Sequence, residues 1–154
     1  MVDKSKLGME LPVYTFRVEK DRIAELAIAV SQKENKEQIN PIYYDEEAAK
    51  KAGYQGIPVP PTFPTCTFFW TGGGLVALTK TLGIDLNKLL HREEEYEYFG
   101  SIYAGDVITR KMKVIDVLKK GSGNKSVEVT VLETELINQR GELVLKSLTR
   151  LLER

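Results

Sequence analysis

The chain has 154 residues, with lysine plus arginine matching aspartate plus glutamate at 22 each, one histidine and one cysteine. That length suits one domain over residues 1–154, and the even charge offers no basic field for nucleic acid or anionic lipid. The lone Cys66 excludes an internal disulfide and a cysteine-based zinc site. With no apolar signal-like run in MVDKSKLGMEL and no membrane-length apolar stretch, a soluble cytoplasmic protein is expected.

Pro12 to Val18 is an extended stretch rich in β-formers. Lys20 to Ser31 follows with Ile23, Leu26, Ala27 and Val30 at i, i+3, i+4 and i+7, which predicts an amphipathic helix with that face on a core. Gln32 to Gln38 is wholly polar and reads as a loop. Asp45 then caps a short helix, EEAAKKA, with acids in its first turn, lysines in its last and Gly53 as its stop. Gly56, Pro58, Pro60 and Pro61 break the chain, and an apolar segment runs from Thr62 to about Leu82, interrupted at Gly72-Gly73-Gly74.

The last third changes period. Arg92 to Phe99, Asp106 to Leu118, Lys125 to Ile137 and Glu142 to Leu152 alternate as strands do, joined by KKGSGNK and NQRG turns. Val127, Val129 and Val131 fall on one face of the third. Helices early and a long antiparallel sheet late predict an α+β fold, and several α+β folds fit that pattern.

Specific segments narrow the choice. In order they are Tyr14 to Ala27, INPIYYD, AGY, PPTF, LLHREEEYEYFGSIYAGDVIT and ETELINQRGELVLKSLTRLL. Together they resemble the MaoC-like family of (R)-specific enoyl-thioester hydratases and dehydratases, over nearly the whole chain. The resemblance implies a hot-dog fold, an antiparallel sheet wrapped around a long central helix. It implies an acyl thioester of coenzyme A or acyl carrier protein as substrate, no cofactor, and a homodimer or a heterodimer with a catalytic subunit. Active members carry G-D-x-N-P-[IL]-H. Here Gln38 stands at the Asp position and Tyr43 at the His position, around Asn40-Pro41. Gln38, Asn40, Tyr43, Pro61, Thr62 and Phe63 are the substrate-binding positions the resemblance implies, with no catalytic residue assigned.

The chemistry argues the same way. Hydration of a trans-2-enoyl thioester moves a proton at the α carbon and water at the β carbon, which calls for groups that exchange protons near neutral pH. A Gln amide does not titrate there, and a phenol has a reference pKa of about 10. Gln38 and Tyr43 can hydrogen-bond a thioester without running a proton cycle. The competing reading is a plain loop residue and a packed aromatic. The first choice is therefore a non-catalytic, substrate-binding subunit; the alternatives are a self-sufficient hydratase and a non-enzymatic acyl-thioester binder.

Other residues are weighed similarly. The loop before Asn40 is longer than the family spacing, so Glu34 or Glu37 is a candidate carboxylate. His91 is expected to pack or hydrogen-bond at a strand start, and Cys66 to be a small core residue although a helix start could lower its pKa. The three glycines lack phosphate-loop context and suggest a helix break or close packing. Thr62 is a candidate N-cap whose helix could aim N–H groups at a thioester carbonyl. No histidine pair or carboxylate cluster suggests a metal.

Overall fold

The structure, a computed structural model, describes residues 4–70, 72, 74–123 and 126–154, and for Trp70 the backbone. Gly73 of the glycine run and Asn124 and Lys125 of the KKGSGNK turn lie outside the described residues. The strands are β1 (Tyr14–Arg17), β2 (Leu89–Tyr98), β3 (Val107–Lys120), β4 (Val127–Ile137) and β5 (Leu143–Glu153). They form one antiparallel sheet in the order β1-β3-β4-β5-β2. The helices are α1 (Lys20–Ser31), α2 (Glu46–Lys51), α3 (Phe63–Trp70) and α4 (Gly74–Leu82).

Strand alternation sorts the sheet into two faces. On the helix-covered face, Leu78 and Leu82 of α4 pack on Met112, Val114, Leu132 and Leu151. Ile23 of α1 and Phe63 of α3 pack on Ile108, Leu136 and Leu145. Arg110, Thr134 and Ser147 are buried between these clusters, with Thr67 of α3 above them. The far face carries Val129, Val131 and Leu152 in a smaller cluster, with Val127 against it. Beside it Lys113 reaches Glu133 at 3.0 Å and Lys146 reaches Glu135 at 3.3 Å. Each fully buried large apolar side chain contributes roughly 1.5–3 kcal/mol, so the helix-covered face carries most of the stabilisation.

The first helix has the predicted bounds. Ile23 and Ala27 are buried and Leu26 is partly buried, but Val30 is 56% exposed. That corrects the predicted four-residue face: Val30 sits in the last turn, past what the core covers, just before Gln32 enters the left-handed region at φ 53° and ends the helix. Asp45 caps α2 by accepting from the N–H of Glu47 (2.9 Å) and Ala48 (3.2 Å), as its sequence requires.

The apolar segment after Pro61 is two helices rather than one. Gly72 (φ 62°) and Gly74 (φ 67°) divide it, and a Cβ on Gly72 would come within 2.0 Å of the Tyr14 ring. Break and close packing thus coincide. β2 begins at Leu89, earlier than Arg92, because pairing with β5 continues through a bulge between His91 and Glu93. The Ala104-Gly105-Asp106 motif locks the start of β3. Asp106 accepts from Tyr103 N (2.9 Å) and from Gln139 Nε2 (2.9 Å), while Gly105 N donates to Val18 O (2.8 Å). Among the described residues no helix is long and apolar enough to cross a membrane.

Candidate functional site

Asn40 and Pro41 start a short 3-10 turn, Pro41–Tyr43. The Asn40 Oδ1 accepts from Ile42 N at 3.1 Å, and proline at the first position needs no hydrogen-bond partner for its nitrogen. The turn sets Tyr43 against the cluster that contains Ile23 and Phe63. Opposite runs the proline segment, held because Val59 N donates to Ile102 O and Ala104 N to Ile57 O. Tyr98, the last residue of β2, donates from its hydroxyl to Pro61 O at 2.6 Å. Tyr43, Tyr54, Val59, Pro61, Tyr98 and Phe99 line the resulting groove of about 510 Å³.

The groove is phenolic, not acid–base. Burial, and then the neighbouring Tyr54, pushes the Tyr43 pKa above its ordinary value. Burial, and then Tyr96, pushes that of Tyr98 up further. Tyr96 is likewise raised by burial, and its hydroxyl bonds Thr65 Oγ1. At neutral pH all three are uncharged hydrogen-bonding groups.

The start of α3 is poor in free donors. Pro64 has no N–H, and those of Phe63 and Thr65 go to the carbonyls of Pro60 (3.0 Å) and Thr62 (3.2 Å). A helix start stabilises developing negative charge through free N–H groups, and these are committed within the chain.

The implied binding residues separate. Tyr43 and Pro61 share the groove, with Asn40 capping the turn that holds Tyr43. Thr62 is exposed just before α3, and Phe63 is a core residue at 1% exposure. Gln38 is exposed and folds back on its own loop, its Oε1 accepting from Glu34 N at 3.1 Å. Glu34 and Glu37 are exposed on that loop and do not line the groove. Cys66 is half-buried, and burial pushes its thiol pKa up, the opposite of an activated thiol.

Some chemistry was not found from sequence. His91 Nε2 lies 2.8 Å from Glu94 Oε2, whose other oxygen accepts from Thr149 Oγ1 at 3.0 Å. His91 and Thr149 border a second, largely apolar groove of about 250 Å³ with Phe68, Phe69 and Leu89. The signal for Glu94–Thr149 is strand register, which a lone sequence does not fix. Tyr96 and Tyr98, two apart on one strand, had to share a face, and that much was readable. Arg110 is 6% exposed and stacks over Tyr14 and Phe68 at 5.4 and 5.1 Å, and among the described residues its Nε has no hydrogen-bond partner. Among the described residues no group of three His, Cys, Asp or Glu side chains could hold a metal ion.

A family model described as "FAS1-like, dehydratase domain region" matches residues 5–147. The chain belongs to this family. A UPF0336 protein of Thermobifida fusca is 34% identical over 155 residues, covering 99% of this chain and 94% of that protein. The structure superposes on a chain of the HadBC (3R-hydroxyacyl-ACP dehydratase) complex from Mycobacterium tuberculosis with a TM-score of 0.74. Identity there is 24%, over 96% of this chain and 97% of that one. The MaoC-like dehydratase from Rhodospirillum rubrum gives 0.68 at 18% identity, over 99% and 96%. The fold is the MaoC-like hot-dog, and within the FAS1-like dehydratase family this chain keeps the sheet and helices while its Asn40-Pro41 turn presents a phenol.

Proposed function

We propose that this chain, as one domain over residues 1–154, is the non-catalytic, substrate-binding subunit of a heteromeric (R)-3-hydroxyacyl-thioester dehydratase. It acts in the cytoplasm, in fatty acid metabolism, on acyl-CoA or acyl-ACP. The observation that carries this reading is Tyr43, a half-buried phenol whose raised pKa keeps it protonated where the resemblance puts a histidine. The committed N–H groups at the start of α3 support it, as does the likeness in fold to a chain of the HadBC dehydratase complex. In this role the groove holds part of the thioester by contact with Tyr43, Pro61 and Tyr98, and the partner subunit contributes the proton-transferring pair.

Titration calorimetry with a saturated acyl-CoA tests the binding half of this reading. Binding that Val59→Trp, a substitution filling the groove, weakens at least about tenfold supports it. Heat of dilution alone, for both proteins, overturns it. A self-sufficient hydratase is the second reading, favoured by the His91–Glu94 pair beside an apolar groove. Turnover by the chain alone that His91→Ala abolishes would establish it.

A further inference from the structure

Among the described residues two long cationic side chains are buried, and their company differs. Lys6 lies 3.2 Å from Glu128. Arg110 meets no carboxylate among the described residues, although it is only 6% exposed. The register explains the position. Arg110 of β3 stands opposite Tyr14 of β1, and Ile108 and Met112, two residues to either side, are core residues. Alternation therefore points the arginine at the helices and not at solvent.

A guanidinium carries five N–H donors and stays protonated in proteins. One Arg110 nitrogen donates to Thr67 Oγ1 at 3.4 Å, longer than the usual range, and Nε has no hydrogen-bond partner among the described residues. The Tyr14 and Phe68 rings lie over the guanidinium at 5.4 and 5.1 Å. Ring faces lower the cost of burying a cation, but they do not neutralise it.

The arginine borders a small cavity of about 40 Å³, lined also by Tyr14, Phe68, Gly74, Ala77 and Thr81. No aspartate or glutamate lines it. Gly74 begins α4, a helix of nine residues, and a helix start carries free N–H groups and the positive end of the dipole. Tyr14 adds a hydroxyl that can donate. Pro12 and Thr81 are exposed at the rim, which gives an entry from solvent. Since one water needs roughly 10–15 Å³, the space suits a small ion, alone or with a water, and is too small for an acyl chain.

We infer that this cavity is an anion site, which holds one monovalent ion of chloride size between Arg110 and the start of α4. Water there would satisfy Nε and leave the buried charge unmatched, whereas an anion does both. The ion ties the start of α4 to β1 and β3 beside the glycine break. At low chloride the arginine is a net cost to the fold, and a bound ion offsets that cost. A ligand that binds the folded chain alone stabilises it in proportion to the logarithm of its concentration once the site is filling.

The test uses the full natural chain in mixtures of sodium chloride and sodium gluconate at constant ionic strength, so that screening does not change. The urea midpoint is expected to rise as chloride replaces the larger gluconate. The chloride NMR line should broaden in the presence of the protein and narrow again as bromide displaces the ion. Arg110→Met, first shown by circular dichroism to be folded, should lose both the rise and the bromide-sensitive broadening. A natural midpoint indifferent to chloride, or an equal rise in the folded variant, overturns the inference. A crystal of the natural chain soaked in sodium bromide supplies a reading that needs no variant. An anomalous peak within hydrogen-bond distance of the Arg110 guanidinium is expected, and a cavity that holds only water overturns the inference. No thioester enters these measurements, so their failure is distinct from failure of the subunit reading.

Discussion

The Tyr98 hydroxyl donates a 2.6 Å hydrogen bond to the carbonyl oxygen of Pro61, tying the end of β2 to the proline run that starts α3. One contact thus joins a sheet edge, the helix start and the wall of the groove that holds Tyr43.

Tyr98→Phe keeps the ring and removes that bond. The expected cost is about 1 kcal/mol, because both groups are partly exposed and water replaces the lost partner. Urea unfolding should show a lower midpoint with an unchanged slope. Acyl-CoA affinity should fall as well, since Pro61 is no longer anchored.

Alkaline stability follows from the same phenols. Burial raises the pKa values of Tyr43, Tyr96 and Tyr98 above the ordinary 10.0. Above that pH the unfolded chain has lost protons that the folded chain retains, so the unfolded state binds fewer and stability falls as pH rises. Their contribution is fully present below about pH 10 and declines through the higher folded values. Urea midpoints from pH 8 to 11 should drop above 10, and Tyr98→Phe should flatten the drop. An equal decline in the variant would contradict this.

Gly72 is required twice over, by φ 62° and by the Tyr14 ring 2.0 Å from where its Cβ would be. Gly72→Ala should destabilise by more than the roughly 1 kcal/mol of left-handed strain alone. Adding Tyr14→Leu should return the steric part and leave the backbone part. A double-mutant cycle in urea measures both, and additive costs would refute the packing account.

Much of the fold was legible because period speaks plainly where one face is buried. α1 and the three long strands follow from spacing alone, and Asp45 announced its helix through capping chemistry. The site was less legible. Asn40 caps the turn that carries Tyr43 into the groove, while Gln38 turns back to Glu34 N, a local choice that spacing does not encode. Phe63, a substrate-binding position by the resemblance, is 1% exposed in the core, since a phenylalanine's chemistry fits a core as well as a pocket. Arg110 sits between Ile108 and Met112 on the buried side of β3. The alternation places it there, while its charge argues for the surface.

That arginine yields a further expectation. Its guanidinium is buried with no ion pair among the described residues, and burial lowers its pKa. Removing a buried charge relieves desolvation that the Tyr14 and Phe68 rings offset only in part. Arg110→Met should therefore be neutral or stabilising, by up to about 2 kcal/mol. Thermal and urea unfolding would show it, and a loss of several kcal/mol would mean that the charge is compensated in the native chain.

The most direct measurement is hydration of a trans-2-enoyl-CoA, followed by loss of the enoyl absorbance, with this chain alone and with a MaoC-like subunit that carries an intact Asp and His. The account predicts no turnover by the chain alone. It predicts turnover in the mixture well above that of the catalytic subunit by itself, and loss of the enhancement when Val59→Trp fills the groove. Robust turnover by the chain alone, or a mixture no faster than the catalytic subunit, would contradict it.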